Sequence, residues 1–255
     1  MIQVSFSGGR SSAMMAKIML DNYDKDELLF TFANTGKELE ETLRYVHECD
    51  VRWGLNVVWV EYCPENKFKV VSYETASRAG EPFEALVMKK NYLPNRVARF
   101  CTADLKIRPM AKYIRSIDVD YWEAAIGIRY DEPNRYYKMK NAKKRDRWEY
   151  LFPLWDMRIT QEEVKAFWKA QDFDLEIPSQ YGNCDFCFMK GIKKKVSQAH
   201  VMPEKLQWWI DMETKLGSKF HANYKMKDIL SLSSNPQLFD LQDEPDISCF
   251  CGDDV

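Results

Sequence analysis

Three groups of residues in this sequence have types and spacings suited to chemistry. The first is Ser7-Gly8-Gly9-Arg10-Ser11-Ser12. Adjacent glycines let the backbone turn tightly and present consecutive N–H donors, and Ser11 or Ser12 is expected to cap a helix whose positive end faces the same point. Such a stretch holds an anion, above all a phosphate. The second group is cationic: Lys106, Arg129 and Arg135. Planar guanidinium groups grip oxyanions through paired N–H donors, and Arg129 is weighted above Arg135 because it lies nearer the end of an apolar run.

The third group is thiol, with seven cysteines in the chain. Cys101 lies among Arg96, Arg99, Lys106 and Arg108, a setting that stabilises a thiolate or a phosphate. Cys184 and Cys187 form a Cys-x-x-Cys in a glycine-containing loop, and Cys249 and Cys251 stand near the end. On the residues alone three readings remain open. A redox pair would want the motif at a helix start after an early strand, which its late position argues against. Half of a zinc site would need two more ligands, which Cys249 and Cys251 could supply. A cluster site would need Cys101 plus a fourth ligand or an open iron. Cys49 and Cys63 read as structural, since free cysteine behaves as a small buried hydrophobe.

These groups need elements to position them. Ile2, Val4 and Phe6 read as a strand running into the Ser/Gly turn, and Ala13, Met14, Ala16 and Lys17 as the helix beyond it. Leu28-Leu29-Phe30-Thr31-Phe32-Ala33 is the continuous apolar run of a strand buried on both faces, ending in Asn34-Thr35-Gly36-Lys37-Glu38. Runs at residues 57–62 and 121–128 read as two more strands. Strands alternating with helices predict a parallel sheet with right-handed crossovers and a ligand at the carboxyl ends of its strands. The expected fold is therefore α/β, a parallel sheet with helices on both faces and a helical C-terminal portion. Residues 1–191 are expected to form the nucleotide-binding part with its cysteines, and residues 192–255 the helical region and cysteine-containing tail. Residues 64–95, a long excursion holding a short helix from Glu81-Pro82 to Lys89, read as a lid. Pro109 suits the first turn of a helix to Ile114. Thr160-Gln161-Glu162-Glu163 is a capping box opening a helix with Val164, Phe167 and Trp168 inward.

The formal net charge of −2 gives no global push toward nucleic acid or membrane, so any basic surface must be local. Lys138, Lys140, Lys143, Lys144, Arg145 and Arg147, interleaved with Tyr136, Tyr137 and Trp148, could contact a nucleic-acid backbone, but read first as a solvated loop. With no charged and apolar leader at its start and no span-length apolar run, the chain is expected to be soluble and cytoplasmic.

Residues 7–12 resemble the pyrophosphate-binding SGGxxS loop of the adenine nucleotide alpha-hydrolase superfamily, which includes ATP pyrophosphatases, tRNA thiolases and the phosphoadenosine phosphosulfate (PAPS) reductase family. No Gly-Lys-Ser/Thr follows, so this is not a Walker loop. Asn34-Thr35-Gly36 with Glu41-Thr42 resembles the DTG…ET motif of the PAPS reductase family, with Asn34 in place of aspartate. Residues 101–110 resemble the CCxxRKxxPL segment of its iron–sulfur members, with Thr102 where the second cysteine would stand. Gly127-Ile128-Arg129 with Arg135 resembles the GxRxxES..R element, and Phe152-Pro153-Leu154-Trp155 follows it as in that family. Cys251-Gly252 is similar to the ECGxH tail, with Phe250 for the glutamate and no histidine, and its neighbouring aspartates would raise a thiolate pKa.

The resemblance implies an adenine nucleotide, ATP or a sulfonucleotide, held by Ser7, Gly8, Gly9, Arg10, Ser11, Ser12, Asn34, Thr35, Gly36, Gly127, Arg129 and Arg135. It selects the third reading of the cysteines: an iron–sulfur cluster, 4Fe-4S, on Cys101, Cys184 and Cys187, either completed by Cys249 or Cys251 or keeping one iron open. Lys106 and Arg129 would neutralise oxyanion charge and Cys251 would attack sulfur. The implied activity is sulfonucleotide reduction with a thiol reductant as partner. Two alternatives stand beside it: ATP-dependent sulfur transfer to, or modification of, tRNA or DNA, and a nucleotide-sensing module without turnover.

Overall fold

The structure, a computed structural model, describes residues 1–141, 147–178 and 181–234. Among these, the apolar runs become β1 (Ile2–Ser5), β2 (Leu28–Asn34), β3 (Val58–Glu61) and β5 (Trp122–Ala125), joined by β4 (Lys69–Val71) and β6 (Trp148–Leu151). They form one sheet in the order β4-β3-β2-β1-β5-β6. All pairings are parallel except that of β4, which lies antiparallel on β3 at the edge. Val4 sits opposite Phe30 on one side and Ala125 on the other. The chain winds outward from β1 to β2 and β3, then crosses back to β5 and β6. The crevice at the carboxyl ends of β1 and β5 is thus the topological switch point, where ligands bind in open parallel sheets.

Alternating side chains send the two faces of the sheet to different helices. Ile2, Val4, Phe30, Phe32 and Trp59 share a core with Ala13, Met15 and Met19 of α1 (Arg10–Asn22) and Leu43, Tyr45 and Val46 of α2 (Glu40–Trp53). On the other face, Trp122 and Ala124 pack with Leu29 and with Ile114 of α4 (Arg108–Ser116). Gln3, buried on that face, donates to Thr31 Oγ1 at 3.0 Å and accepts from Trp122 Nε1 at 3.0 Å, so its amide is satisfied without water.

Residues 64–95, read above as a lid, are anchored at both ends. Lys69–Val71 pairs with β3, and Phe83, Leu86 and Val87 of α3 (Glu81–Lys90) are buried. They enter a second core with Phe186, Phe188 and helices α8 (Ile192–Val201), α9 (Pro203–Leu216) and α10 (Met226–Ser233), around Trp209 and Phe220. That core draws on residues from both sides of position 191. Between β5 and α8 the chain forms α5 (Pro133–Lys140), the single turn α6 (Pro153–Asp156) and α7 (Gln161–Lys169). The Glu163 carboxylate accepts from the Thr160 N–H at 2.8 Å and from its hydroxyl, closing the capping box at the start of α7. Of the basic run, Lys138 and Lys140 lie on α5 and Arg147 precedes β6. Lys143, Lys144 and Arg145 lie outside the described residues, as do Cys249 and Cys251.

Candidate functional site

The turn after β1 is shaped by its glycines. Gly8 has φ +85°, and a Cβ there would stand 2.5 Å from Thr42 Cγ2, so both conformation and space require glycine. Gly9 is the N-cap residue, and the Ala13 N–H donates to its carbonyl at 3.0 Å. Neither serine caps the helix, contrary to expectation: Ser11 and Ser12 lie within its first turn. Ser12 Oγ instead accepts from the Ser7 N–H at 3.1 Å and the Ser7 hydroxyl at 2.9 Å, and donates to Gly9 O at 2.8 Å. The hydroxyl closes the turn on itself, and the first N–H groups of α1, which have no carbonyl of their own helix to meet, face the switch point.

The loop leaving β5 comes in from the other side. A Cβ on Gly127 would lie 3.2 Å from Ser12 Cα, so this loop presses against the first turn of α1. Arg129, 4% exposed, donates from Nη1 to Ser11 Oγ at 3.2 Å and from Nε to Asp131 Oδ1 at 3.0 Å. Arg135, on α5, pairs with Glu132, the residue that precedes that helix. Arg10 turns to Asp174, with Nε–Oδ1 2.7 Å and Nη2–Oδ2 3.0 Å, while Trp168 Nε1 donates to Arg10 O at 3.0 Å. Beside this turn opens a cavity of about 410 Å³, lined by Arg10, Ser11 and Arg129 at one end and by Val164, Trp168, Leu175 and Ile177 along an apolar wall. Its size and mixed lining are those of a small-molecule site. Trp168 reads from sequence only as a core residue; its position on the wall depends on α7 returning beside α1.

The loop after β2 is built differently from expectation. Asn34 is fully buried, donates to Glu61 Oε1 at 2.6 Å and to Ser77 O at 2.8 Å, and accepts from the Gly36 N–H at 3.1 Å. Glu61 is also held by the Ser77 N–H, the Ser77 hydroxyl and Lys69. Asn34 is therefore a scaffold residue. Where the resemblance leads one to expect aspartate, the amide supplies the donor that the Glu61 carboxylate needs.

Thr35 donates to Glu38 Oε2 through its N–H and its hydroxyl, both at 2.8 Å. Glu38 Oε1 pairs with Lys106 Nζ at 3.2 Å and accepts from Cys184 Sγ at 3.6 Å. Lys106 comes from the π-helical turn Thr102–Ile107 that leads into α4. Sequence alone does not single out Glu38, because its partners lie 68 and 146 positions away. The loop at Asn183 ties the regions together: its side chain donates to Ser7 O at 2.9 Å, and its carbonyl accepts the Leu39 N–H at 2.9 Å. Beyond it, Lys37 and Asp185 form a buried pair at 3.1 Å, with Trp209 Nε1 donating to Asp185 at 2.8 Å. Burial pushes the Asp185 carboxyl above its usual range, against the opposing pull of the Lys37 ammonium.

Cys101 and Cys187 border the second core, and Cys184 rests on Glu38. Thiolates are suited to zinc or to an iron–sulfur cluster. Among the described residues, however, no three histidine, cysteine, aspartate or glutamate side chains are grouped as a metal site. The donor type fits the group and the described arrangement alone does not complete it. Cys49 is buried, and burial raises its thiol well above the usual range, as suits a structural residue. Cys63 Sγ donates to Phe68 O at 3.1 Å. No helix among the described residues is long and apolar enough to cross a membrane.

Over residues 1–176 the sequence matches the family described as phosphoadenosine phosphosulfate reductase domain, a match that ends before Cys184. It is 35% identical over 202 residues to the uncharacterized nin region protein ORF290 of Escherichia phage lambda, covering 75% of this chain and 67% of that protein. With an uncharacterized protein of Methanocaldococcus jannaschii it shares 29% identity over 140 residues, 54% of this chain and 25% of that one. Among solved structures, the phosphoadenylyl-sulfate (PAPS) reductase of Candida auris in its phosphate complex superposes with a TM-score of 0.44 at 12% identity, covering 66% of this chain and 71% of that one.

Proposed function

The chain belongs to the phosphoadenosine phosphosulfate reductase domain family, and on that premise we propose that it binds the phosphate chain of an adenine nucleotide or sulfonucleotide at residues 7–12. The observation that carries this reading is the convergence at the switch point of a Gly8-Gly9 turn, the first turn of α1 and a buried Arg129 beside Ser11, with Arg10, Ser11 and Arg129 lining the cavity next to that turn. Backbone N–H groups and a desolvated guanidinium together bind oxyanions more strongly than either alone. In this role Gly127 provides clearance for the loop and Arg129 carries the countercharge. Asn34, Thr35 and Gly36 hold the neighbouring loop in place, and Val164 and Trp168 offer an apolar wall for the base. Arg10, held by Asp174 through both Nε and Nη2, and Arg135, which is not in the cavity lining, contribute field rather than direct contact.

The reaction we assign is sulfonucleotide reduction. The Cys251 thiolate attacks sulfur, and the sulfur–oxygen bond to phosphate breaks so that the nucleotide leaves with the bridging oxygen. One thiol of a dithiol protein then attacks the Cys251 sulfur, expelling sulfite and forming a mixed disulfide. The second thiol resolves it, so that Cys251 is freed and the dithiol protein is oxidised to a disulfide. Lys106, paired with Glu38, steadies negative charge near Cys184. A 4Fe-4S cluster on Cys101, Cys184, Cys187 and Cys249 would supply electrostatic polarisation of the sulfate end. Incubation of anaerobically purified protein with adenylyl sulfate or PAPS and a dithiol tests this: sulfite should appear and should vanish in Cys251→Ser. Iron analysis of the same sample, with Cys184→Ser as control, tests the cluster; zinc alone or no metal would remove it.

Thr102 favours a second reading. With one cluster cysteine replaced, the thiols match the three-cysteine pattern of sulfur-transferring relatives in the superfamily, in which ATP adenylylates a substrate oxygen and pyrophosphate leaves. Pyrophosphate release from ATP without sulfite from either sulfonucleotide would select it.

A further inference from the structure

We infer that the groove along α4, on the sheet face away from α1, is a binding surface for single-stranded nucleic acid. The groove is a cavity of about 660 Å³, distinct in its lining from the one beside residues 7–12. Arg108, Lys112 and Arg115 stand at i, i+4 and i+7 and line it as one stripe of α4. Lys67 and Lys89 face them from the opposite side, and Arg147 closes the end near β6. Among the described residues Asp104 is the one carboxylate of this lining, shared by Lys90 at 2.8 Å and by Arg108. Lys67, Lys89, Lys112 and Arg115 pair with no carboxylate among the described residues, although acids outnumber bases in the chain as a whole.

Arg147 is paired with Asp120 at 3.1 Å, so the lining holds more cations than paired carboxylates, and such a surface is suited to an external polyanion. Lys67 lies close enough to Lys89 to lower its pKa, chiefly through their direct contact. A phosphate between them would relieve that repulsion. The floor adds an aromatic component: Trp148 stacks on the buried Trp122, with centroids 5.0 Å apart and planes at 21°. Cations spread along a groove with a partly exposed aromatic at its base suit a strand with many phosphates and stacking bases better than a single phosphate group. The surface also leads toward the candidate site. The π-helical turn that carries Asp104 on the groove side carries Lys106 on the side of Glu38 and Cys184.

The inference is independent of which nucleotide the loop binds, because the salt series and its variants are measured with no mononucleotide present. Fluorescence anisotropy would follow a labelled single strand of about 16 nucleotides across a salt series. Affinity should fall with salt, and Lys112→Ala/Arg115→Ala should reduce the log–log slope by about 1.4, at about 0.7 for each phosphate that is no longer neutralised. The exposed pair Lys219→Ala/Lys227→Ala, which removes the same charge from the α9–α10 connection and α10, should leave the slope unchanged. Thermal melts establish that each variant is folded, and Lys67→Ala/Lys89→Ala offers a second pair from the opposite wall. Salt-independent binding, or equal loss in the control pair, would overturn the inference. So would competition by ATP at equal phosphate concentration, which would make the groove a small-nucleotide site, or by polyglutamate, which would make it a surface for an acidic protein.

Discussion

At the scale of single residues, the position of one nitrogen atom separates Asn34 from aspartate. Its amide donates to Glu61 Oε1 at 2.6 Å inside a site closed to water. An ionised carboxylate there would face Glu61 with no donor between them, at a cost of about 3 kcal/mol. Asn34→Asp should therefore destabilise the protein by about that amount near neutral pH, and by clearly less in acid, where a protonated aspartate can donate. Chemical denaturation at two pH values checks this; an equal loss at both would contradict it. Arg129 was legible in the sequence because it stands two residues after Gly127 at a strand end. The pairing of Lys106 with Glu38, and of Arg10 with Asp174, was not, because each contact joins positions far apart in the chain. Local sequence carries their charge but not their partner.

Among elements, the turn between β1 and α1 positions the most. Its backbone is set by Gly8 at φ +85° and by contact with Thr42 and Phe32. Gly8→Ala should cost about 2 kcal/mol from conformation and crowding together, and should weaken nucleotide binding by displacing the N–H groups. Binding and melting measured on the same variant check it, and unchanged values for both would mean that the turn is not the cradle. The strands that read clearly were β1, β2, β3 and β5, whose apolar residues serve a sheet covered on both faces. β4 was missed because it is three residues long, at an edge and largely exposed. β6, four half-exposed residues after a basic run, lacks the same continuous signal. The helix start was misplaced because Ser11 and Ser12 are good capping residues by type, whereas the close approach of Gly127 and the bond from Ser7 fix them inside the first turn.

For the whole molecule, the C-terminal region was legible as helical but not as a second core shared with α3. Glu213, on α9, organises part of that core by accepting the N–H groups of Phe220 at 3.0 Å and Met226 at 2.7 Å. Burial raises its pKa above the usual 4.5. The folded state then holds this proton where the unfolded chain has released it, so the contribution is full below 4.5 and is lost as pH rises through the folded value. Glu213→Gln should lose less stability than the wild type between pH 4.5 and about pH 7, whatever its offset at acid pH. Parallel stability curves would contradict the assignment. The basic groove is likewise a property of the assembled molecule, since its cations come from the β3–β4 connection, α3, α4 and the approach to β6.

The most direct measurement is calorimetric titration of ATP, adenylyl sulfate and PAPS into the wild-type protein and into Arg129→Ala, with melts to confirm that both are folded. At least one nucleotide should bind the wild type, and removing the charge-assisted hydrogen bonds of Arg129 should weaken it by about tenfold or more. No binding of any of the three to the wild type, or equal affinity in the variant, would contradict the placement of the phosphate chain at the switch point.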